Sequence, residues 1–128
     1  MSLVNAIHHV SVRCADADSY EKEIRFYRDV LEFPVFREWD GGIMLGSGTD
    51  MIEICMGDDP SFDYGAIRHF AFDVDDVDEC ARRVKAAGMT VRIEPKDIVI
   101  PSEPALPARL AFAYGPCGEE IEFFCVKA

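Results

Sequence analysis

Basic side chains are scarce in this sequence: 13 Lys and Arg residues stand against 24 Asp and Glu residues, a formal net charge of −11. A surface of this sign repels phosphate backbones and anionic lipid headgroups. The sequence also lacks a basic stripe with interleaved aromatic residues, the pattern typical of nucleic-acid binding. We therefore expect neither nucleic acid nor membrane as a partner.

Two other absences concern the cellular compartment. No segment has the roughly 20 apolar residues that span a bilayer, and the first residues form no cationic, apolar secretion signal. The five Cys residues are odd in number and include no C-x-x-C pair, which favours reduced thiols over a disulfide framework. These features predict a cytoplasmic protein.

The length of 128 residues is typical of one domain, and a hydrophobic content of 49% suffices for a core. We expect a single domain over residues 1–128, built from two modules at about 5–57 and 65–127. Modules of about 60 residues would each be marginally stable alone, so we expect them to share one core.

The two modules are indicated by short segments that recur. Ile7–Val12 (IHHVSV) returns as Ile67–Phe72 (IRHFAF), and Met51–Ile54 (MIEI) returns as Glu120–Phe123 (EIEF). Self-similarity of this kind is typical of a duplicated structural unit. Each copy offers one His and one Glu on an apolar, strand-like segment.

Apolar periodicity, capping residues and turn residues predict the order β-α-β-β-β in each half. The elements of the first half are a strand at 7–14, a helix from Asp16 or Asp18 to about Leu31, and strands at about 34–39, 42–46 and 50–56. Those of the second half are a strand at 66–74, a helix from Asp75–Asp76 to about Ala87, and strands at about 90–94, 108–114 and 120–126.

The segment 95–107 is rich in proline, with Pro95, Pro101, Pro104 and Pro107. We expect a stiff loop here that covers a site, with at most a short strand at Ile98–Ile100.

Side chains alternate across a strand, so His9 is predicted on the face opposite His8. Glu53 and Glu122 likewise lie opposite the apolar stripes of their strands. His8 is interpreted as a bystander, because the repeat aligns His69 with His9. If the apolar stripes face the helices, the side chains of His9, Glu53, His69 and Glu122 converge in a cleft.

Taken singly, these residues have simpler interpretations: His9 as a hydrogen-bonded core histidine, Glu122 as an outward residue of an edge strand. The recurrence of all four in register favours a shared site, because a charged group in an apolar strand is costly unless it is paired or bound to a metal. Two imidazoles and two carboxylates suit Zn, Ni, Co, Mn or Fe(II).

The duplicated modules resemble the vicinal oxygen chelate (glyoxalase/bleomycin resistance/dioxygenase) superfamily along essentially the whole chain. Further segments that carry this resemblance are Phe26–Leu31 (FYRDVL), Phe70–Val77 (FAFDVDDV) and Gly115–Phe123 (GPCGEEIEF). The resemblance implies an α+β fold in which two β-α-β-β-β modules form a curved mixed sheet around a cleft. The set His-Glu-His-Glu is similar to that of bacterial glyoxalase I (lactoylglutathione lyase), whereas methylmalonyl-CoA epimerases usually have Gln at the position of Glu53.

This resemblance implies a divalent metal, Ni, Zn, Co or Mn, held by His9, Glu53, His69 and Glu122 as a Lewis acid that stabilises an enediolate. Glu122 would be the general base and Glu53 its companion carboxylate. Arg13 would hold a carboxylate of glutathione or another thiol co-substrate. A homodimer is also implied, because sites in this family are often completed across the subunit interface.

Three positions depart from the family's pattern: Gly57 replaces an Asn typical of glutathione-using members, Gly65 an Arg found in some members, and Glu32 the family's usual Gly. The ligand set is intact while the thiol pocket is altered. The alternatives are therefore an epimerase-like enzyme acting on another substrate, or a non-catalytic module that binds antibiotics.

Overall fold

The computed structural model describes residues 2–57, 65–115 and 119–127. Two helices are present in these ranges, α1 (Ala17–Arg25) and α2 (Val77–Ala86). The strands, in chain order, are β1 (Val4–Cys14), β2 (Val35–Trp39), β3 (Gly42–Leu45), β4 (Met51–Met56), β5 (Ile67–Val74), β6 (Val91–Ile100), β7 (Leu106–Tyr114) and β8 (Glu120–Val126). The element order β-α-β-β-β therefore occurs twice, as predicted.

All eight strands form one curled mixed sheet in the order β2-β3-β4-β1-β5-β8-β7-β6. The pairs β1–β4 and β5–β8 are parallel, and the central pair β1–β5, which joins the two halves, is antiparallel. The sheet curls into a half-barrel, which confirms the α+β fold with a curved mixed sheet. Strands that open each half thus lie side by side at the centre of the sheet.

The first helix begins at a side-chain cap and ends earlier than predicted. Asp16 accepts a hydrogen bond from the Ser19 amide at 2.8 Å, and Ser19 completes a capping box. After Arg25 the chain continues in a π-helical turn, Phe26–Val30. The helix predicted to about Leu31 therefore comprises a short α-helix and a widened last turn.

The prediction of a loop over 95–107 is wrong for its first half. β6 extends through Pro95 to Ile100 and pairs with β7 along its length. Proline is tolerated there because β6 is an edge strand and its register with β7 shifts between Ile93 and Lys96. Only residues 101–105 connect the two strands.

The described part of the chain contains three apolar clusters. Two lie between the sheet and the helices, on the outside of the curl, and the third lies inside the curl. The cluster under α1 consists of Cys14, Ile24, Ile43, Leu45 and Ile54. The cluster under α2 consists of Val74, Val77, Cys80, Ala111, Ala113 and Phe123. The inner cluster consists of Met44, Met51, Ala71, Ile100, Ala108, Leu110 and Phe124, so both halves contribute to one shared core.

Hydrogen bonds from one side chain of β2 join the two ends of the curled sheet, in addition to the apolar contacts of the inner cluster. Arg37 of β2 donates from Nη1 to Ser102 Oγ at 3.0 Å and to the Pro104 carbonyl at 2.8 Å, both in the β6–β7 connection. This contact closes the curl on the side of the inner cluster. Within the described ranges, neither helix is long and apolar enough to cross a membrane.

Candidate metal centre

The four predicted ligands lie on the four central strands of the sheet. Ser11 of β1 is paired with Glu53 of β4 on one side and with His69 of β5 on the other. Ala71 of β5 is paired with Glu122 of β8. His9 is also paired with Ala71, so the register places Glu53 and His69 level with Ser11, and Glu122 level with His9, two residues away along β1.

The side chains meet at short distances within one chain. Glu122 Oε1 lies 3.0 Å from His69 Nε2 and 3.2 Å from His9 Nε2, and Glu53 Oε1 lies 3.8 Å from His9 Nε2. His9 is 1% exposed, Glu122 4% and His69 8%. No second subunit is needed to bring these four side chains together, and a homodimer stays a prediction.

The electrostatics of the cluster are those of a buried ion pair. Burial alone would raise the pKa of Glu122, but contacts with His69 and His9 outweigh it and hold the pKa below its ordinary value. Burial likewise lowers the pKa of His9, but Glu122 and Glu53 raise it above its ordinary value. Negative charge on the carboxylates and positive charge near His9 therefore stabilise each other.

The residues present fit a divalent cation. Ligand bonds of roughly 2.0–2.2 Å separate neighbouring ligand atoms by roughly 3–4 Å, and ligand atoms of His9, Glu53 and His69 all lie within 4.8 Å of one another. His9 Nε2 is buried, but its contact with Glu122 Oε1 at 3.2 Å lacks the geometry of a hydrogen bond, and it has no other hydrogen-bond partner among the residues that the structure describes. A buried nitrogen in that condition is costly, and a cation between the carboxylates and imidazoles would use its lone pair.

The prediction that His8 lies on the opposite face is wrong. Between Ile7 and His9 the pairing of β1 with β5 shifts by one residue, a β-bulge that turns His8 to the inner side. His8 Nδ1 lies 2.8 Å from His9 Nδ1, and its ring lies 4.6 Å from that of Phe124. Burial, followed by the neighbouring His9, lowers the pKa of His8 to about 4.

A cavity of about 690 Å³ adjoins the cluster at His69 and is lined in part by Arg13, Arg92, Phe112 and Tyr114. A volume of this size suits a small-molecule ligand. Along β7 and β8, the pair Leu110–Phe124 belongs to the inner cluster, whereas the pair Tyr114–Glu120 lines the cavity. The inner cluster and the cavity therefore lie towards opposite ends of these two strands. The cavity is therefore on the open side of the candidate metal centre.

Arg13 lines this cavity, and its stem lies against the backbone of Gly57. A Cβ atom on Gly57 would be only 2.5 Å from Arg13 Cδ, a distance that real contacts do not reach. The Asn typical of glutathione-using members would therefore force Arg13 to move. Gly57, a departure from the glutathione-using members, and Arg13, a match to the family, are therefore coupled by packing.

Sequence reasoning missed Glu120 and Arg92. Arg92 Nη2 lies 3.0 Å from Glu120 Oε1, and its guanidinium lies 5.1 Å from the centre of the Phe112 ring. Glu120 Oε1 in turn lies 4.0 Å from His69 Nδ1. The spacing of two residues between Glu120 and Glu122 was the available signal, since such residues share a face of a strand.

Similar folds occur among solved structures. Methylmalonyl-CoA epimerase from Mycobacterium tuberculosis superposes with a TM-score of 0.74 at 24% identity, over 100% of this chain and 92% of that one. A methylmalonyl-CoA epimerase variant from Streptomyces coelicolor, in complex with 2-nitronate-propionyl-CoA, has a TM-score of 0.75 at 21% identity, over 98% and 99%. A glyoxalase/bleomycin resistance protein/dioxygenase superfamily member from Vibrio splendidus has a TM-score of 0.65 at 20% identity, over 91% and 95%.

At these identities the structural likeness concerns the fold. No curated protein sequence matches the chain significantly. The family model of the Glyoxalase/Bleomycin resistance protein/Dioxygenase superfamily, however, matches residues 6–123, which include all four candidate ligands. The chain therefore belongs to the glyoxalase/bleomycin resistance protein/dioxygenase superfamily.

Proposed function

We propose that this protein is a metal-dependent lyase or isomerase of the glyoxalase I type. It would move a proton between adjacent carbons of the hemithioacetal formed by a 2-oxoaldehyde and a thiol. The observation that supports this most directly is the compact group of His9, Glu53, His69 and Glu122, in which two carboxylates accompany two imidazoles and all but the half-buried Glu53 are buried. A carboxylate at position 53, rather than the amide usual in methylmalonyl-CoA epimerases, favours the glyoxalase type.

His9, Glu53, His69 and Glu122 would hold the ion, which when bound would supply Lewis-acid stabilisation of negative charge on two adjacent substrate oxygens. Glu122 accepts the proton from one carbon and returns it to the next, because its contacts with two histidines keep it ionised although it is buried. Glu53, on the other side of β1, is the companion carboxylate.

Arg13 positions the substrate in this proposal. Its side chain lines the same cavity as His69. A guanidinium binds a carboxylate through two parallel hydrogen bonds, which fixes orientation as well as position. The thiol portion of the substrate would occupy the cavity while the reacting carbons reach the cluster.

A metal-by-substrate screen tests the proposal. The protein is freed of metal, reloaded separately with Ni²⁺, Zn²⁺, Co²⁺ or Mn²⁺, and offered methylglyoxal with glutathione or bacillithiol. We expect about one ion per chain and formation of a hydroxyacyl thioester. Absence of bound metal, with no turnover after any metal is added, would refute the enzyme and leave a non-catalytic binding module.

One observation favours a second candidate, an epimerase-like enzyme acting on an acyl-CoA. The stem of Arg13 occupies the space beside Gly57 in which glutathione-using members have Asn, and methylmalonyl-CoA epimerases are among the similar folds. The same screen distinguishes the two when acyl-CoA substrates are included in deuterated water. Solvent deuterium at the acyl α-carbon without net conversion would identify the epimerase.

A further inference from the structure

The bulge in β1 places His8 beside the candidate metal centre, although strict alternation along the strand would put it on the opposite face of the sheet. In the pairing with β5, Ile7 faces Phe72 and His9 faces Ala71, so His8 is the extra residue. Bulges re-aim side chains next to functional sites. Here the effect is to bring two consecutive imidazoles to the same side of the sheet.

Only one placement of the hydrogen between these two rings leaves His9 Nε2 free to bind a metal. Two nitrogens 2.8 Å apart must share one hydrogen, so one Nδ1 donates and the other accepts. His9 Nε2 faces Glu122 and Glu53, and as a ligand it must carry a lone pair. His9 Nδ1 then carries the hydrogen and donates it, and His8 Nδ1 accepts.

We propose that His8 is a positioning residue, which accepts a hydrogen bond from His9 Nδ1 and thereby sets the tautomer and the ring orientation of His9 for metal binding through Nε2. This inference rests on the proposed metal site and assigns a role to a residue outside the ligand set. Hydrogen-bond partners of this kind hold ligating histidines in metal centres generally. In most such centres the acceptor is a carboxylate or a carbonyl, whereas here it is a second imidazole.

The surroundings of His8 hold its ring in place. Its ring packs against Phe124, the largest buried side chain of the inner cluster. The carboxylate of Asp73 acts on it electrostatically, and Asn5 Nδ2 donates to that carboxylate at 3.4 Å. His8 is therefore held by packing against Phe124 and lies within the electrostatic influence of Asp73.

Two substitutions separate the hydrogen bond from packing. His8→Leu keeps an apolar side chain against Phe124 but removes the acceptor. His8→Asn puts an amide oxygen near the position of Nδ1 and keeps the acceptor. Zn²⁺ affinity is measured by competition with a chromogenic chelator at fixed pH, together with thermal unfolding of the metal-free proteins and the ¹⁵N shifts of the His9 ring in the zinc-loaded proteins.

We expect His8→Leu to weaken Zn²⁺ binding by about 10- to 100-fold, and His8→Asn to restore most of the loss. The His9 Nδ1–H signal should be that of a hydrogen-bonded proton in the wild type and in His8→Asn only. Equal Zn²⁺ affinity of the wild type and His8→Leu would overturn the inference, as would His8→Asn binding no better than His8→Leu. A wild-type chain that binds no Zn²⁺, Ni²⁺, Co²⁺ or Mn²⁺ would overturn the proposed function as well.

Discussion

Glu122 combines deep burial with an ionised side chain. A carboxyl group enclosed by apolar neighbours has a raised pKa and holds its proton at neutral pH. Here His69 and His9 hold the pKa of Glu122 below its ordinary value, with His69 Nε2 at 3.0 Å. The histidines that would bind the metal thus also keep the proposed base able to accept a proton.

Replacement of this base by its amide should therefore stop the reaction without unfolding the protein. Glu122→Gln keeps the shape of the side chain but cannot accept a proton, so we expect turnover to fall by at least about 100-fold. Turnover of the substrate found in the screen, metal content and thermal unfolding are measured on the same preparation. Glu120→Gln, on the same strand and face, is the control and should lose far less. Near-normal turnover of Glu122→Gln would show that another group is the base.

At the scale of elements, the end of the first helical segment contains an uncommon backbone conformation. Glu32 has a φ of 62°, in the left-handed region that favours glycine. A side chain in this region costs about 1–2 kcal/mol through contact of Cβ with the backbone. The π-helical turn before it, closed by the Leu31 amide on the Phe26 carbonyl, leads the chain into this conformation.

Glu32→Gly should therefore stabilise the protein. Relief of strain exceeds the extra entropy that glycine has in the unfolded chain, and we expect a net gain of about 0.5–1 kcal/mol. The measurement is the free energy of unfolding in urea. Gly88→Ala is the matched control of opposite sign, since Gly88 has a φ of 83° with open space around it. A Glu32→Gly variant that is less stable than the wild type would contradict this account.

Pro95 shows why the extent of β6 could not be predicted. Proline interrupts a strand in the interior of a sheet but not at an edge or a bulge, and Pro95 lies on an edge strand where the register shifts. Edge position is a property of strand order. The residues around Pro95 do not indicate which strand will be outermost, so the high proline content of the segment favoured a loop.

At the scale of the whole molecule, the inner cluster and Arg37 hold the two halves as one curled sheet. Met44 and Met51 from the first half pack with Leu110 and Phe124 from the second. Arg37 connects β2 with the β6–β7 connection through two hydrogen bonds. The shape of the cleft therefore depends on contacts between residues that are distant in the sequence.

Removal of the Arg37 guanidinium should loosen this closure. Arg37→Met keeps most of the apolar stem but loses both hydrogen bonds, and we expect a loss of about 1–3 kcal/mol in the free energy of unfolding. Amide hydrogen exchange should accelerate in β2 and in residues 101–105 more than in β1 or β5. Arg25→Met on the exposed side of α1 is the control, expected within about 0.5 kcal/mol of the wild type. Uniform acceleration across the sheet would argue against a local closure.

The sequence by itself determined the duplicated element order, the faces of His9, Glu53 and Glu122, and the pairing of His69 with His9 in the repeat. The element order and the faces follow from local periodicity, because alternation along a strand is set by the backbone of that strand alone, and the pairing of the two histidines follows from the internal repeat. The tertiary structure decided the place of His8, the strand conformation of Pro95 and the contact of Arg13 with Gly57. These depend on which strand pairs with which and in what register, since a bulge or an edge exists only in relation to a neighbouring strand.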